Sequence, residues 1–91
     1  MPTGFLTDIP GYLVGHWTDA AAATGCTAIL PAAGAVGAVQ VTGGGASVRE
    51  TELLSPRSGE REVSAIMFSG GSAFGLATAD GAMQWCEQQG R

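Results

Sequence analysis

The sequence predicts an α/β fold in which several short strands precede one long C-terminal helix, and three observations carry this prediction. Residues 63–68 are almost continuously apolar, which is typical of an inner strand covered on both faces. Residues 73–89 follow with apolar side chains at helical spacing. Residues 12–17 and 26–30 are short apolar runs with β-branched or aromatic members, and they predict two earlier strands.

The N-terminal half is predicted to form three strands. Residues 1–11 contain prolines and glycines, and they are expected to form an irregular arm. A turn through residues 18–23 should follow the first strand, and Pro31 should end the second because proline cannot donate to a strand ladder. Residues 34–41 carry valines among small residues and predict a third strand, which the short preceding link would pair with the second in a hairpin.

The middle of the chain is predicted to be mostly connection. Three consecutive glycines at residues 43–45 make a flexible break, and residues 46–54 are expected to form a loop with one turn of helix. Residues 55–62 are polar and contain Pro56 and Gly59, so they should form an exposed connection.

The C-terminal helix is predicted to pack through one stripe on the sheet and to stop at Gly90, a natural C-terminal glycine. Gly75 and Gly81 lie inside the predicted helix, where each costs ~1 kcal/mol relative to alanine. Another element is therefore expected to cross close to the helix at both positions. The side chains of the predicted stripe are Leu76, Ala79, Met83 and Cys86.

The composition suggests a chain that lies against other protein. Charged residues make up 13%, against roughly 25% in typical globular chains. The net charge is −4, and the four cations are arginines without a basic stripe, so a nucleic-acid partner is not expected. The N-terminus lacks the features of a signal peptide, and no apolar run reaches the ~18 residues of a membrane span. A cytoplasmic location without membrane contact is expected.

The most suggestive local feature is the junction between the last strand and the helix, formed by Ser69, Gly70, Gly71 and Ser72. The first N–H groups of a helix lack internal partners and carry partial positive charge, so they favour an anion or oxyanion. The junction is therefore a candidate substrate-pocket or oxyanion site. The alternative is that Ser69 or Ser72 caps the helix and the glycines make the turn. The spacing fits neither a dinucleotide fingerprint, nor a P-loop, nor a nucleophile elbow.

Other candidate chemistry is weaker. His16 is the only histidine and has no metal-ligand spacing around it, so a packed or hydrogen-bonded histidine is expected. A Ser–His–Asp triad has no support from chain order. Glu50 and Glu52 would share one face of a strand, but a solvated or arginine-paired surface is expected. Cys26 and Cys86 lie far apart in apolar stretches and are expected to be buried thiols, with a disulfide or reactive thiol as the alternative.

Four phrases in order resemble the beginning of the L-aminopeptidase/D-esterase family, which includes β-peptidyl aminopeptidases and nylon-oligomer hydrolases. The resemblance covers residues 8–91. The hydrolytic chemistry that it implies requires no cofactor or metal. The phrases are VGHWTD from residue 14, TGCT from residue 24, RETELL from residue 49, and SGGSAFGL from residue 69 followed by ADG from residue 79.

The resemblance implies a four-layer α/β/β/α sandwich, of which residues 1–91 would be an N-terminal segment and not a complete domain. Members of the family cut themselves before a serine or threonine, whose freed amine and hydroxyl then hydrolyse amides or esters. The nucleophile and its supporting acidic and asparagine residues lie downstream in the family, so no catalytic residue maps onto this chain. Tyr12 does not correspond to the family's site tyrosine, which also lies downstream. The family roles that the resemblance implies for this chain are therefore limited to scaffold residues and to residues of the junction that line the substrate pocket.

The implied partners are the remainder of the parent polypeptide, comprising the downstream α portion and the β portion with the nucleophile, a small peptide or amide substrate, and further copies in a homo-oligomer. Two alternatives stay open. The chain is a non-catalytic module that binds a ligand or partner through the junction, or it is part of an acyl transferase similar to ornithine acetyltransferase. A closed, well-packed core would favour the module, whereas open edges and exposed apolar faces would favour a segment of a larger enzyme.

Overall fold

The α/β architecture is confirmed in the computed structural model, which describes residues 4–59 and 62–91. Within these described residues, three strands form one sheet, and a single α-helix follows them near the C-terminus. The strands are β1 (Leu13–Asp19), β2 (Thr24–Leu30) and β3 (Ile66–Ser69), the helix is α1 (Thr78–Gln89), and three short 3₁₀ segments span Leu6–Asp8, Thr51–Leu54 and Ser72–Ala77.

The sheet is antiparallel throughout, in the order β1-β2-β3. The predicted turn after the first strand is confirmed: the Asp19 carboxylate accepts a hydrogen bond from the Ala22 N–H at 3.0 Å, and Ala23 has a φ of 53°. This turn joins β1 to β2, so the hairpin of the fold lies one strand earlier than the sequence predicts.

The predicted third strand over residues 34–41 is wrong. Its only pairing among the described residues is a single bridge between Val36 and Glu62, next to which the Val63 N–H donates to the Ala35 carbonyl at 2.9 Å. The edge of β2 that faces away from β1 pairs with β3 and not with residues 34–41. Among the described residues, the valines of this stretch therefore have no partner strand, and Val36, Val39 and Val41 are all exposed.

The connections follow the predictions more closely. The N-terminal arm contains one 3₁₀ turn and is exposed, although its residues 1–3 lie outside the described residues. Residues 46–54 form a loop that ends in the short helical segment Thr51–Leu54, as predicted. In the predicted connection 55–62, residues 60 and 61 lie outside the described residues, and the described part before them contains turns and bends only.

The long C-terminal helix is interrupted. A 3₁₀ segment over Ser72–Ala77 comes first, and α1 begins only at Thr78. The helix ends as predicted, because Gly90 takes the left-handed conformation with φ 71° and the Arg91 N–H donates to the Cys86 carbonyl at 2.8 Å. Among the described residues, no helix is long and apolar enough to cross a membrane.

Helix α1 packs on the face of the sheet that carries Leu13, Ala28 and Leu30. Together with Ala82 and Trp85 of the helix, these side chains border an apolar crevice of about 300 Å³. The predicted helical stripe is confirmed only in part. Cys86 is buried at 7% exposure and Leu76 and Ala79 are half-buried, but Met83 is 56% exposed.

Strand β3 is not an inner strand within the described chain. It forms an edge of the sheet, and β2 is the central strand. Ile66 and Phe68 share the face opposite α1, because they pair with Ile29 and Thr27, and both are exposed. The apolar run therefore identified a strand correctly, but this chain covers it on one face only.

The two glycines of the predicted helix behave differently. A Cβ at Gly75 would lie 2.9 Å from the Gly70 carbonyl carbon and even closer to its oxygen, so the expected close crossing is present there. At Gly81, no atom of the described residues lies within 4 Å of such a Cβ, and the crossing element expected there is not found in the described part of the chain.

We expect Gly75→Ala to lower the free energy of unfolding of the protein by about 1–3 kcal/mol, because the backbone carbonyl of Gly70 leaves no room for a methyl group. Gly81→Ala is the matched control, and its better helix propensity should stabilise by ~1 kcal/mol where the surface stays open. Thermal and denaturant unfolding measure both changes. A neutral or stabilising Gly75→Ala substitution would contradict the contact.

Candidate functional site

The junction follows the end of β3 directly and continues its pairing with β2. Ser69 lies opposite Cys26 in the register, and the Gly70 N–H donates to the Gly25 carbonyl at 2.9 Å. Gly71 and Ser72 then both take left-handed conformations, with φ of 91° and 56°. A left-handed serine is uncommon and carries a conformational cost. The chain thus turns sharply away from the sheet at the junction.

The capping interpretation of the two serines is wrong. The Ser69 hydroxyl donates to the Gly70 carbonyl at 2.9 Å, and no side chain caps either the 3₁₀ segment or α1. The turn is held by backbone geometry instead: the Gly75 N–H donates to the Gly71 carbonyl at 3.1 Å. The serine side chains are therefore not committed to holding the helix start.

The electrostatics of the junction differ from those expected of a long helix. Because α1 begins at Thr78, its dipole acts near that residue and not at the junction. The groups available at the junction are individual N–H donors. The N–H groups of Gly71 and Ser72 have no acceptor among the described residues, and the one on Ser72 opens the 3₁₀ segment, where no internal partner exists.

An open groove of about 590 Å³ lies beside the junction at the end of the sheet. Ser69 and Gly70 line this groove, whereas Gly71 and Ser72 do not. The other lining residues come from β1, the β1–β2 turn, β2 and β3: His16, Trp17, Thr18, Asp19, Ala20, Ala23, Thr24, Gly25, Cys26, Thr27 and Phe68. Of the predicted site, Ser69 and Gly70 thus belong to a concave surface, whereas Gly71 and Ser72 lie outside it.

His16 is hydrogen-bonded, as predicted. Its Nδ1 lies 2.8 Å from the Thr27 hydroxyl, and the two residues face each other across β1 and β2. Ser69 belongs to the neighbouring row of the sheet with Trp17, on the opposite face. Ser69 and His16 therefore do not form a nucleophile–base pair, and the described residues contain no group of three side chains that could hold a metal.

Glu50 and Glu52 do not share a strand face, because they lie at the beginning of the 3₁₀ segment Thr51–Leu54. Both are exposed, in agreement with a solvated surface. The two cysteines are unpaired thiols: Cys86 is buried and Cys26 is half-buried on β2. None of these residues joins the junction in a catalytic arrangement.

Arg49 makes a set of contacts that the sequence does not predict. Its guanidinium forms an ion pair with Asp80 at 2.7 Å, donates to the Leu76 carbonyl at 3.3 Å and to the Met83 sulfur at 3.2 Å. The partners lie 27 to 34 positions away along the chain, so no local pattern could have identified them. Met83 is exposed on the helix because it turns toward this arginine and not toward the sheet.

Comparison with known proteins gives one family and a set of close relatives. Peptidase family S58 matches residues 5–91. An uncharacterized aminopeptidase of Mycobacterium tuberculosis is 45% identical over 94 residues, covering 94% of this chain and 27% of the relative. An uncharacterized aminopeptidase of Mycobacterium leprae is 44% identical over 98 residues, covering 99% of this chain and 27% of the relative. The chain thus spans about a quarter of the length of the curated relatives it matches.

Proposed function

Because the chain belongs to peptidase family S58, we propose that it is the N-terminal segment of a self-processing aminopeptidase. The parent enzyme hydrolyses N-terminal amide or ester bonds of small peptides or amino-acid derivatives, as the resemblance to L-aminopeptidase/D-esterase implies. The relatives named as aminopeptidases, at 44–45% identity, support this class of reaction. The junction and the groove beside it are the contribution of this segment to the substrate cleft.

The exposed surface is the observation that carries the segment proposal. The chain exposes 6882 Å², whereas a compact protein of 9.1 kDa exposes about 4,900 Å². Its radius of gyration is 14.4 Å, against about 12 Å for a compact domain of this length. An excess of about 2,000 Å² is the size of an obligate interface. These quantities favour a segment that packs on further protein over a self-contained binding module.

The apolar side chains on the surface support the same proposal. Phe74 is 92% exposed and Phe68 is 61% exposed, and among the described residues only Pro31 and Cys86 are buried. Exposed apolar area of this extent marks a surface that other protein covers. Phe68 lies on the sheet face opposite α1, where a second sheet of a four-layer sandwich would pack.

The proposed chemistry assigns the nucleophile to the downstream portion of the parent. A serine or threonine freed by self-cleavage carries an α-amine that serves as the base for its own hydroxyl, so no cofactor is needed. Attack on an amide carbonyl places negative charge on the carbonyl oxygen, and preorganised N–H donors stabilise that charge. The N–H groups of Gly71 and Ser72, which have no acceptor among the described residues, are the donors that this segment offers.

The full-length parent protein tests this proposal. On purification it should appear as two fragments, one of which begins with serine or threonine, and it should hydrolyse amino-acid p-nitroanilides. Alanine at the new N-terminal residue should abolish both cleavage and hydrolysis. An uncleaved protein without hydrolytic activity on amides and esters would reject the proposal and favour the binding module.

A further inference from the structure

We infer that Arg49 is a positioning residue that holds the junction in its working geometry through the 3₁₀ segment. The inference rests on the proposed function, because it assigns Arg49 to the same cleft. It concerns a residue that does not line the groove and whose polar side-chain contacts are with Leu76, Asp80 and Met83.

The contacts of Arg49 bridge the two helical segments. One nitrogen, Nη1, lies 3.3 Å from the carbonyl of Leu76 in the 3₁₀ segment and 2.7 Å from the Asp80 carboxylate in the first turn of α1. The other, Nη2, reaches the Met83 sulfur one turn further on. The guanidinium therefore fixes the position of the 3₁₀ segment relative to α1 at the point where the helix type changes.

The 3₁₀ segment is in turn packed against the junction. Gly75 precedes Leu76, and a Cβ on Gly75 would collide with the Gly70 carbonyl. The Gly75 N–H also donates to the Gly71 carbonyl at 3.1 Å. Because these contacts are between backbone atoms, a displacement of Leu76 and Gly75 moves Gly70 and Gly71 with it. A continuous set of contacts thus leads from the Arg49 guanidinium to the junction.

The chemistry requires arginine at this position. Nη1 contacts the Leu76 carbonyl and the Asp80 carboxylate while Nη2 reaches the Met83 sulfur, and the single nitrogen of a lysine ammonium cannot span both sets of contacts. The ion pair itself is half-exposed on the arginine side and mostly exposed on the aspartate side, and such pairs contribute little to stability. The role of Arg49 is therefore expected to appear in the rate of the reaction more than in the stability of the fold.

The test uses the full-length self-processed enzyme with three substitutions. Arg49→Met removes all polar contacts, Asp80→Asn removes the ion pair and keeps the donor to the Leu76 carbonyl, and Arg57→Met removes an exposed arginine whose side chain has no partner among the described residues. We expect kcat of Arg49→Met to fall about five-fold with KM nearly unchanged, because a transition-state contact is displaced. Arg57→Met should stay within about two-fold of wild type, and Asp80→Asn should fall between Arg57→Met and Arg49→Met, because the ion pair is lost while the amide oxygen can still accept a hydrogen bond from Nη1.

Rates are normalised to the concentration of enzyme that carries the new N-terminal residue formed by self-cleavage. A variant that folds or processes poorly is therefore not scored as a poor catalyst. If Arg49→Met fails to process, Arg49→Lys replaces it and should lower kcat while keeping the ion pair. A normal kcat in folded Arg49→Met, or an equal loss in Arg57→Met, overturns the inference while the proposed function stands. An inactive wild-type parent overturns both.

Discussion

Chain 1–91, expressed alone, is expected to hydrolyse amino-acid p-nitroanilides and esters no faster than buffer. Within its described residues, the one histidine is paired with Thr27 and the junction serine Ser69 donates to a backbone carbonyl. Neither forms a nucleophile with a base. The chain alone should therefore lack the entire rate acceleration of the full-length enzyme, and enzymes typically accelerate reactions by ~10⁶-fold or more over the uncatalysed rate. Release of p-nitroaniline over hours, against a buffer blank, measures it.

Co-expression with the downstream remainder of the parent should restore hydrolysis and bury the exposed apolar surface. Trp17, which is 61% exposed, should then show a blue-shifted fluorescence, and binding of a dye specific for exposed apolar surface should fall. The control is the same pair of chains with the downstream nucleophile replaced by alanine, which should assemble without activity. Turnover by chain 1–91 alone that disappears on mutation of Ser69 would contradict the assignment of the nucleophile to the remainder.

Gly71→Ala is expected to lower kcat/KM of the processed full-length enzyme at least ~10-fold, which corresponds to about 1.4 kcal/mol of transition-state stabilisation. The φ of 91° at Gly71 disfavours any side chain, and a Cβ there would lie 3.4 Å from the backbone of Gly75. The methyl group meets the Gly75 backbone at ordinary contact distance, but alanine is strained at this φ, so the backbone of the junction should relax and its N–H donors should shift with it. Alanine is preferred to valine because a β-branched residue at this φ adds strain that obscures the kinetic effect.

Gly43→Ala is the matched control for backbone strain. Gly43 has a φ of 92° and no atom of the described residues within 4 Å of the added Cβ, so the substitution imposes the same conformational cost away from the groove. Both variants should lose ~1–2 kcal/mol of stability. Only Gly71→Ala should lose catalysis. Equal and normal kinetics in the two folded variants would remove the junction from the cleft and leave this segment as scaffold.

The two outcomes at the predicted third strand and at the helix show where local pattern fails. The valines of residues 34–41 have the composition of a strand, yet a strand also needs a partner edge, and β3 occupies the available edge of β2. The spacing of residues 73–89 fits one helix, yet its first five residues belong to the 3₁₀ segment Ser72–Ala77, in which Gly75 packs against the Gly70 carbonyl. The absence of the third strand depends on residues distant in sequence, and the 3₁₀ segment depends on a backbone contact. Side-chain periodicity reports neither of them.

The sequence by itself determined the α/β class, β1, β2, β3, the helix end at Gly90 and the family, because each depends on side-chain periodicity, on one left-handed glycine or on ordered motifs within short windows. The tertiary structure decided the pairing order of the strands, the break at Thr78, the exposure of Met83 and the position of Arg49 over the 3₁₀ segment. These features are set by competition between contacts far apart in the chain. The free energy of such contacts depends on which surfaces meet, and a short stretch of sequence does not show which surfaces the fold brings together.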